Sequence, residues 1–318
     1  MAKILVTGAT GFIGMNLVPQ LQSLGHEVRC AVWREVEWLK AEQIKINKIE
    51  SQNDWSVALH NIEIVIHLAA KVHVFDEKDA SSMDKFCQVN SLATKEFAEQ
   101  AARCKVKRFI FLSTIKVNGE CTSKNLCFTE SDEENPVDPY AKSKLLAEKY
   151  LEAISQSTNM EVVILRPPLV YGPGVKANFL RMMKLAAKGW PLPFAKVNNQ
   201  RSFLYIDNLI SAICAVLINP QAANKLFLVA DNESWSFTEL MNTISAEMKV
   251  KSRLFPVPVK ALAGTLTLLG LKEMNTRLFS SLLVSNNKIK FELGWEPPVK
   301  AHEGIRHTVQ WYQDENNC

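Results

Sequence analysis

Three glycines near the start of the chain constrain its fold more than any other feature. Gly8, Gly11 and Gly14 lie between an apolar, strand-like run at 4–7 and a helical pattern at 12–24. In this setting the first glycine permits a tight turn, the second lets the backbone approach a pyrophosphate, and the third allows close helix–strand packing. Free N–H groups at the helix N-terminus attract the phosphates. The loop therefore predicts a dinucleotide-binding unit.

Beyond this loop, short apolar runs alternate with helical patterns as far as residue 165. The sequence predicts strands at 28–33, 62–68, 106–113 and 161–165, and helices at 89–102 and 139–154. This βαβ alternation predicts an α/β fold with a doubly wound parallel sheet covered by helices.

The pattern changes after residue 166, where prolines and glycines cluster. The sequence predicts further helices at 175–188, 236–248, 258–270 and 300–313, and one more sheet strand at 226–230. We therefore expect a dinucleotide-binding domain over 1–167, with a return near 203–230. A smaller C-terminal substrate-binding lobe is expected from 168–202 and 231–318.

The composition excludes several classes of function. Lys and Arg exceed Asp and Glu by only 37 to 33, so we expect no nucleic-acid partner, which would need a dense basic face. The seven cysteines form no C-x-x-C pair, which argues against a zinc site and a disulfide framework. Reduced thiols fit a cytoplasmic protein.

The longest apolar stretch, at 259–271, is shorter than the roughly 20 residues that span a bilayer. We expect a buried or partner-facing helix there and no membrane insertion. The alternative is contact with a membrane surface.

The stretch from Asp138 to Lys144 carries the strongest chemical signal. Asp138 is a good helix N-cap and Pro139 a good first helical residue, so Tyr140 and Lys144 lie one turn apart on one helix face. An ammonium group stabilises a nearby phenolate, so we expect Lys144 to lower the pKa of Tyr140. The pair could then exchange a proton with a hydroxyl or carbonyl oxygen near neutral pH.

Together these patterns resemble the short-chain dehydrogenase/reductase superfamily, whose extended branch matches the glycine spacing and the chain length. A strand ending in Ser113 and Thr114, followed by Tyr140 and Lys144, looks like the Ser/Thr–Tyr–Lys set of that superfamily. The resemblance implies a Rossmann fold in which Thr114 holds the reacting oxygen, Tyr140 transfers its proton and Lys144 sets the tyrosine pKa. Ser113 competes with Thr114 for the hydroxyl role.

Other stretches resemble the cofactor-binding pattern of the same superfamily. Residues 67–70 (HLAA) resemble the strand end that packs on the cofactor in that superfamily. His67 itself is interpreted as a core histidine. Asn90 resembles the asparagine that orients the active-site backbone. The implied cofactor-binding residues are Gly8, Gly11, Phe12, Ile13, Gly14, Arg34, Leu68, Ala69, Ala70, Asn90, Tyr140, Lys144 and Pro167.

Residues 165–174 (LRPPLVYGPG) and 201–207 (RSFLYID) resemble the NAD-dependent epimerase/dehydratases, which act on nucleotide sugars such as UDP-hexoses. This resemblance implies that Asn178, Arg201 and Arg277 bind the substrate diphosphate, since arginine can bind phosphate in a bidentate manner. It also implies a homodimer that pairs through two helices of each subunit.

The second strand lacks the carboxylate that would hold the ribose 2′-hydroxyl of NAD. Val32 stands at that position and is followed by Trp33 and Arg34. Because an arginine attracts a 2′-phosphate, the sequence favours NADP(H) over NAD. The alternative is that Arg34 stacks on the adenine and that NAD still binds.

Asn118 stands where 4-epimerases usually carry a tyrosine, and Val32 stands in place of the ribose carboxylate. Both residues favour a reductase or dehydrogenase that acts at C4 of a UDP-hexose. The sugar could be an N-acetylated one used in surface polysaccharide synthesis. The alternative is a UDP-hexose 4-epimerase with tightly bound NAD. A remote alternative is a non-catalytic dinucleotide-sensing protein, which would not need Tyr140 and Lys144. A dehydratase is disfavoured because Ile115 and Lys116 replace the acidic pair of such enzymes.

Overall fold

The computed structural model describes residues 1–47, 53–72, 81–123 and 126–317. The strands are β1 (Lys3–Thr7), β2 (Glu27–Val32), β3 (Glu42–Lys45), β4 (Ile64–His67), β5 (Arg108–Leu112), β6 (Glu161–Arg166), β7 (Leu169–Tyr171), β8 (Arg201–Tyr205), β9 (Lys225–Leu228) and β10 (Ser234–Trp235). The α-helices are α1 (Phe12–Ser23), α2 (Ser56–Leu59), α3 (Ser81–Phe86), α4 (Ala93–Arg103), α5 (Pro139–Ser157), α6 (Ala177–Ala187), α7 (Ile206–Ile218), α8 (Phe237–Glu247), α9 (Val259–Leu268), α10 (Lys272–Phe279), α11 (Asn287–Leu293) and α12 (Ala301–Asn317). A π-helical segment covers Cys87–Leu92, and short 3-10 turns cover Ile115–Val117 and Pro220–Ala222.

A parallel sheet of seven strands forms the centre of the molecule, in the order β3-β2-β1-β4-β5-β6-β9. Val6 of β1 lies between Cys30 of β2 and Ile66 of β4. The strand order changes direction between β1 and β4, and ligands bind in the crevice that such a change opens at the carboxyl ends of the strands. The predicted doubly wound α/β fold is confirmed.

The central strands are apolar throughout because helices cover both faces of the sheet. On β1, Val6 packs into the core with residues of α1 and α7, whereas Leu5 packs into the core with residues of α4 and α5. Successive side chains of a strand point to opposite faces, so one short run serves both layers. This packing fixes the strand ends at which the loops of the site begin.

A second, three-stranded sheet has the order β10-β8-β7. The buried Asp231 joins its end to the rest of the molecule. The carboxylate accepts hydrogen bonds from the Tyr205 backbone N–H (3.1 Å), from Asn208 Nδ2 (2.7 Å) and from the Tyr171 hydroxyl (3.2 Å). Burial raises the pKa of Asp231 to about 6. After β8 the chain returns to the large sheet as α7 and β9.

Helix α9 was expected to be buried or to face a partner, and the structure contradicts the first of these alternatives. None of its residues is buried, and Leu268 is 90% exposed. The helix packs mainly against α10, so neither sheet covers it. Among the helices of the described ranges, none is both long and apolar enough to cross a membrane.

Candidate active site

The glycine loop wraps closely around the end of β1. Gly8 has a φ of +72°, which side chains other than hydrogen rarely tolerate, and a Cβ there would lie 2.8 Å from the Ala69 nitrogen. A Cβ at Gly14 would lie 2.5 Å from Ala9 Cα. Gly11 is the N-cap of α1 and has no side-chain cap. The loop therefore brings bare backbone and a helix N-terminus to the crevice, which suits a pyrophosphate.

Several of the other predicted cofactor residues follow strand ends at the edge of the sheet where the glycine loop lies. Leu68, Ala69 and Ala70 follow β4 directly, and Pro167 follows β6. Phe12 and Ile13 open α1, and a Cβ at Gly174 would lie 3.7 Å from Phe12 Cδ2, so the loop after β7 passes beside the glycine loop. Arg34 lies two residues beyond β2 and is exposed.

His67 is part of the protein core. Its Nδ1 lies 2.7 Å from the Thr7 hydroxyl, and its Nε2 lies 3.1 Å from the Thr94 hydroxyl. Burial lowers its pKa to about 3, with a smaller contribution from the Lys144 charge. A neutral imidazole thus joins β1, β4 and α4, in agreement with its interpretation as a core histidine.

Asn90 connects the crevice to α5. Its side-chain oxygen accepts from the Lys71 N–H (2.8 Å), and its Nδ2 donates to the Lys71 carbonyl (2.9 Å) and to the Ser143 hydroxyl (3.0 Å). The Ser143 hydroxyl in turn donates to the Tyr140 carbonyl (2.8 Å). Asn90 therefore orients the loop after β4 and the first turn of α5 together.

The helix around Asn90 differs from the one predicted at 89–102. Asn90 lies within the π-helical segment between α3 and α4, not at the start of a regular helix. A π turn holds one extra residue and often marks a functional site. The pattern of apolar residues alone did not reveal this local widening of the helix.

Tyr140 and Lys144 lie one turn apart on α5, as predicted. Tyr140 is half-buried, and its ring meets Phe86 edge-on at 6.3 Å. Lys144 is buried, and its Nζ donates to the Leu112 carbonyl at 2.8 Å and lies 4.3 Å from the Phe111 ring centre. The ammonium group is thus held at the end of β5.

The pKa of Tyr140 moves opposite to the expected direction. Burial raises it, and the Asp138 carboxylate adds to that effect. Burial also lowers the pKa of Lys144 to about 7. The cost of burying a phenolate therefore sets the direction of the Tyr140 shift, and the Lys144 ammonium donates to a backbone carbonyl.

The structure separates the two candidate hydroxyls. Ser113 is buried and its hydroxyl donates to the Glu148 carboxylate. Thr114 is half-buried and caps the 3-10 turn at Ile115–Val117, where its hydroxyl accepts from the Lys116 N–H at 3.3 Å. Among the residues that the structure describes, the bond to the Thr114 hydroxyl is a weak local one, so this hydroxyl is the better candidate for holding a substrate oxygen.

Arg166 and Glu148 form a buried ion pair one helical turn beyond Lys144, and the sequence analysis missed it. Arg166 Nε donates to both oxygens of Glu148 at 3.0 and 3.1 Å, and a second nitrogen of Arg166 bonds the same carboxylate. Arg166 Nη1 also donates to the side-chain oxygen of Asn118 at 2.9 Å. The spacing could have indicated Glu148, because it follows Lys144 by four residues and therefore shares its helix face.

Two of the three predicted diphosphate residues lie close together. Arg201 is half-buried and donates to the Ser280 carbonyl at 2.9 Å. Burial lowers its pKa to about 10, Glu120 opposes that change, and the charge of Arg277 adds to it, so Arg277 lies nearby. Asn178 is half-buried near the start of α6. In the parts of the chain that the structure describes, no group of three His, Cys, Asp or Glu side chains could hold a metal ion.

A family model described as the NAD dependent epimerase/dehydratase family matches residues 4–230. The chain belongs to that family. A UDP-glucose 4-epimerase of Vibrio cholerae is 39% identical over 317 residues, which cover 99% of this chain and 97% of the relative. A dTDP-glucose 4,6-dehydratase of Haemophilus influenzae is 26% identical and covers 98% of both chains. The superfamily and the nucleotide-sugar enzyme class predicted from the sequence are confirmed.

Solved structures of epimerases share the fold of this family member. The Bacillus cereus UDP-glucuronic acid 4-epimerase in complex with NAD superimposes with a TM-score of 0.79 at 21% identity, over 98% of this chain and 99% of that one. The Thermotoga maritima UDP-glucose 4-epimerase with UDP-glucose gives 0.78 at 24% identity, over 99% of each chain. At these identities the likeness concerns the fold alone.

The state of His67 predicts a pH dependence of stability. Its pKa is about 3 in the folded protein and 6.5 ordinarily, so the unfolded chain binds more protons between these values. The contribution of neutral His67 to the free energy of unfolding is therefore fully present above about pH 6.5, and it is lost as the pH falls toward 3. Between pH 7 and pH 5 His67 should account for a loss of about 2 kcal/mol. Urea unfolding at both pH values checks this.

The His67→Gln variant should lack this part of the pH dependence. The His60→Gln variant is the matched control, because His60 is exposed and lies outside the buried contacts of His67. Equal pH dependence in wild type and His67→Gln would contradict the buried neutral imidazole.

Proposed function

We propose that this family member is a UDP-hexose 4-epimerase that uses a bound nicotinamide dinucleotide. The observation that carries the proposal is the 39% identity to a UDP-glucose 4-epimerase over 99% of the chain. The matched stretch spans the glycine loop, the Tyr140 helix and the later arginines together. The epimerase therefore replaces the 4-ketoreductase as the favoured function.

The position of Asn118 supports this change. Asn118 favoured a reductase because it replaces a tyrosine of epimerases, but its side chain is buried and bonds to Arg166 and to the Thr129 carbonyl. It therefore acts in the buried network. Val32 is likewise buried in the core beside α1. Neither residue directly specifies a net redox reaction.

The residues at the crevice fit a dinucleotide. The bare backbone at Gly8 and Gly14 leaves room for a pyrophosphate at the N-terminus of α1, and the 68–70 loop and Pro167 would lie along the nicotinamide half. When bound, the nicotinamide supplies reversible hydride transfer at C4 of the sugar. We infer that NAD and NADP(H) both remain candidates, with Arg34 as the residue that would select the phosphorylated form.

The proton chemistry belongs to α5 and β5. Tyr140 would take the proton of the C4 hydroxyl as the keto sugar forms and return it to the oxygen on the opposite face. Thr114 would hold that oxygen by a hydrogen bond, and Lys144 would stabilise the phenolate that Tyr140 becomes. Asn178, Arg201 and Arg277 would anchor the diphosphate while the keto sugar turns.

The function is tested by incubating the protein separately with UDP-glucose and UDP-N-acetylglucosamine and analysing the sugars. We expect the C4 epimer of at least one substrate and no net change in nicotinamide absorbance. Stoichiometric oxidation of NAD(P)H by a UDP-4-keto-hexose, without epimer formation, would instead establish the 4-ketoreductase.

Tyr140→Phe should lower turnover by about 10²-fold or more, because it removes only the proton-transferring hydroxyl. Tyr150→Phe is the matched control on the same helix, since Tyr150 lies beside Lys95 away from the crevice, and it should retain wild-type turnover. Dinucleotide binding should survive in both variants. Near-normal turnover in Tyr140→Phe would exclude this residue from the chemistry.

Arg34→Ala should weaken NADPH binding by roughly tenfold or more relative to NADH, because a charge-assisted hydrogen bond to the 2′-phosphate contributes about 1.5–3 kcal/mol. Fluorescence titration with each cofactor measures the ratio. Lys40→Ala is the control, an exposed cation in the same loop. An equal effect of Arg34→Ala on both cofactors would contradict selection by Arg34.

We also propose a twofold homodimer that pairs through α4 and α5. Leu145 and Leu146 of α5 are half-buried in the single chain, and Leu92 beside α4 is 39% exposed. A second copy would cover this apolar surface. Light scattering at micromolar concentration should give the mass of a dimer, and a monomer at that concentration would contradict the proposal.

A further inference from the structure

We propose that Glu148 is a positioning residue that holds the end of β5 against α5 and so places Thr114 relative to Tyr140 and Lys144. The inference rests on the proposed function for the role of Lys144 and Thr114. Glu148 would act through Ser113 and Lys144 and not on the substrate itself.

The Glu148 carboxylate is fixed from two sides. It is buried and accepts hydrogen bonds from the Ser113 hydroxyl and from two nitrogens of Arg166. Arg166 is buried as well, and it is held by Asn118 at 2.9 Å and lies 3.6 Å from Glu134. A carboxylate bound in this way cannot rotate freely, so it defines the place of whatever it binds.

Through Ser113, Glu148 acts on the end of β5. Lys144 Nζ donates to the Leu112 carbonyl at 2.8 Å, and the Ser113 hydroxyl donates to Glu148 one helical turn further along α5. Two adjacent residues of the strand end are thus bound to two successive turns of one helix. Thr114 is the next residue, so these two bonds fix it relative to Tyr140.

Glu148 also acts on the charge of Lys144. Burial favours the neutral amine and lowers the pKa of Lys144 to about 7, whereas the Glu148 carboxylate opposes that change. Of the groups packed around Lys144, His67 on β4 is neutral, and Arg166 at the end of β6 is paired to Glu148. Tyr140 precedes Lys144 by one turn, and Asp138 pairs with Lys116. The carboxylate therefore helps to retain the ammonium in a site that disfavours charge.

A purely structural role accounts poorly for this arrangement. Buried ion pairs contribute little net stability, and well-packed apolar residues often replace them without loss. The Glu148–Arg166 pair lies near the buried Lys144 and next to the strand end that carries Thr114. In this place it can fix the position of Thr114 and favour the ammonium form of Lys144. The test therefore needs a measurement that stability alone does not change.

Glu148→Gln keeps the shape and an acceptor for Ser113 but removes the charge. The matched control is Glu152→Gln, an exposed carboxylate one turn further along α5. We would label lysine with carbon-13 at Cε, assign Lys144 from the Lys144→Met spectrum, and follow its signal against pH. In Glu148→Gln the transition should move to lower pH by about one pH unit or more, and in Glu152→Gln it should stay in place.

Turnover gives the second measurement. Glu148→Gln should lower kcat with UDP-glucose by about 10²-fold at pH 8, with KM within about twofold, because misplaced reacting groups slow chemistry more than binding. The basic limb of its kcat profile should follow the Lys144 transition to lower pH. A folded variant with the wild-type Lys144 transition and wild-type kcat would overturn the proposal.

The double variant Glu148→Gln/Arg166→Met covers the case in which Glu148→Gln does not fold, since it leaves no unpaired charge in the core. Because the variant also loses the Arg166 cation, which disfavours a nearby ammonium, the Lys144 transition should move to lower pH by a smaller amount, and an unmoved transition would overturn the proposal. The NMR titration needs no turnover. A wild-type protein that epimerises neither UDP-sugar would therefore defeat the proposed function and leave this test of Glu148 intact.

Discussion

The hydrogen bonds between the end of β5 and the middle of α5 fix the candidate catalytic residues relative to one another. Lys144 binds the Leu112 carbonyl, and the Ser113 hydroxyl binds Glu148. A parallel strand and the helix that follows it pack through apolar side chains, which allow small sliding movements. Polar bonds at two successive turns remove that freedom, so that Tyr140 and Thr114 keep a fixed relation.

The crevice depends on a second constraint, the absence of side chains at three glycines. At Gly8 and Gly14 an added Cβ would lie within 2.8 Å of backbone atoms. Such a clash could be relieved only by a movement of β1, α1 or the loop after β4. Asn90 then binds that same loop and reaches Ser143 on α5. The glycine loop and the Tyr140 helix are therefore parts of one connected framework, although more than 120 residues separate them in the sequence.

The features that the sequence predicted well are those with a local physical cause. Apolar runs marked β1, β4 and β5 because strands buried on both faces need continuous hydrophobicity. Asp138 and Pro139 located the start of α5 because capping acts within one turn, and the Asp138 carboxylate does accept from the Ala141 N–H at 2.6 Å. Tyr140 and Lys144 then followed from helical spacing.

The features that the sequence missed depend on contacts between distant segments. Arg166 binds Glu148 and Asn118 across 18 and 48 residues, and no local pattern encodes such a meeting. The pKa of Tyr140 was predicted in the wrong direction for a related reason. The prediction considered the neighbouring ammonium, which lies within one turn, but the larger contribution is burial, which the whole fold determines.

The raised pKa of Tyr140 and the lowered pKa of Lys144 have a common consequence for the proposed reaction. Both shifts favour the neutral pair, a phenol beside an amine, whereas proton transfer from a sugar needs a phenolate beside an ammonium. The two charges stabilise one another, so forming them together costs less than forming either alone in the same buried site. Glu148 lies behind Lys144 and favours the ammonium, and the positive nicotinamide of an oxidised dinucleotide would favour the phenolate. The residues of this chain thus stabilise the ammonium, and the proposed cofactor would stabilise the phenolate only while it is oxidised. The oxidised state is also the one in which Tyr140 must accept a proton.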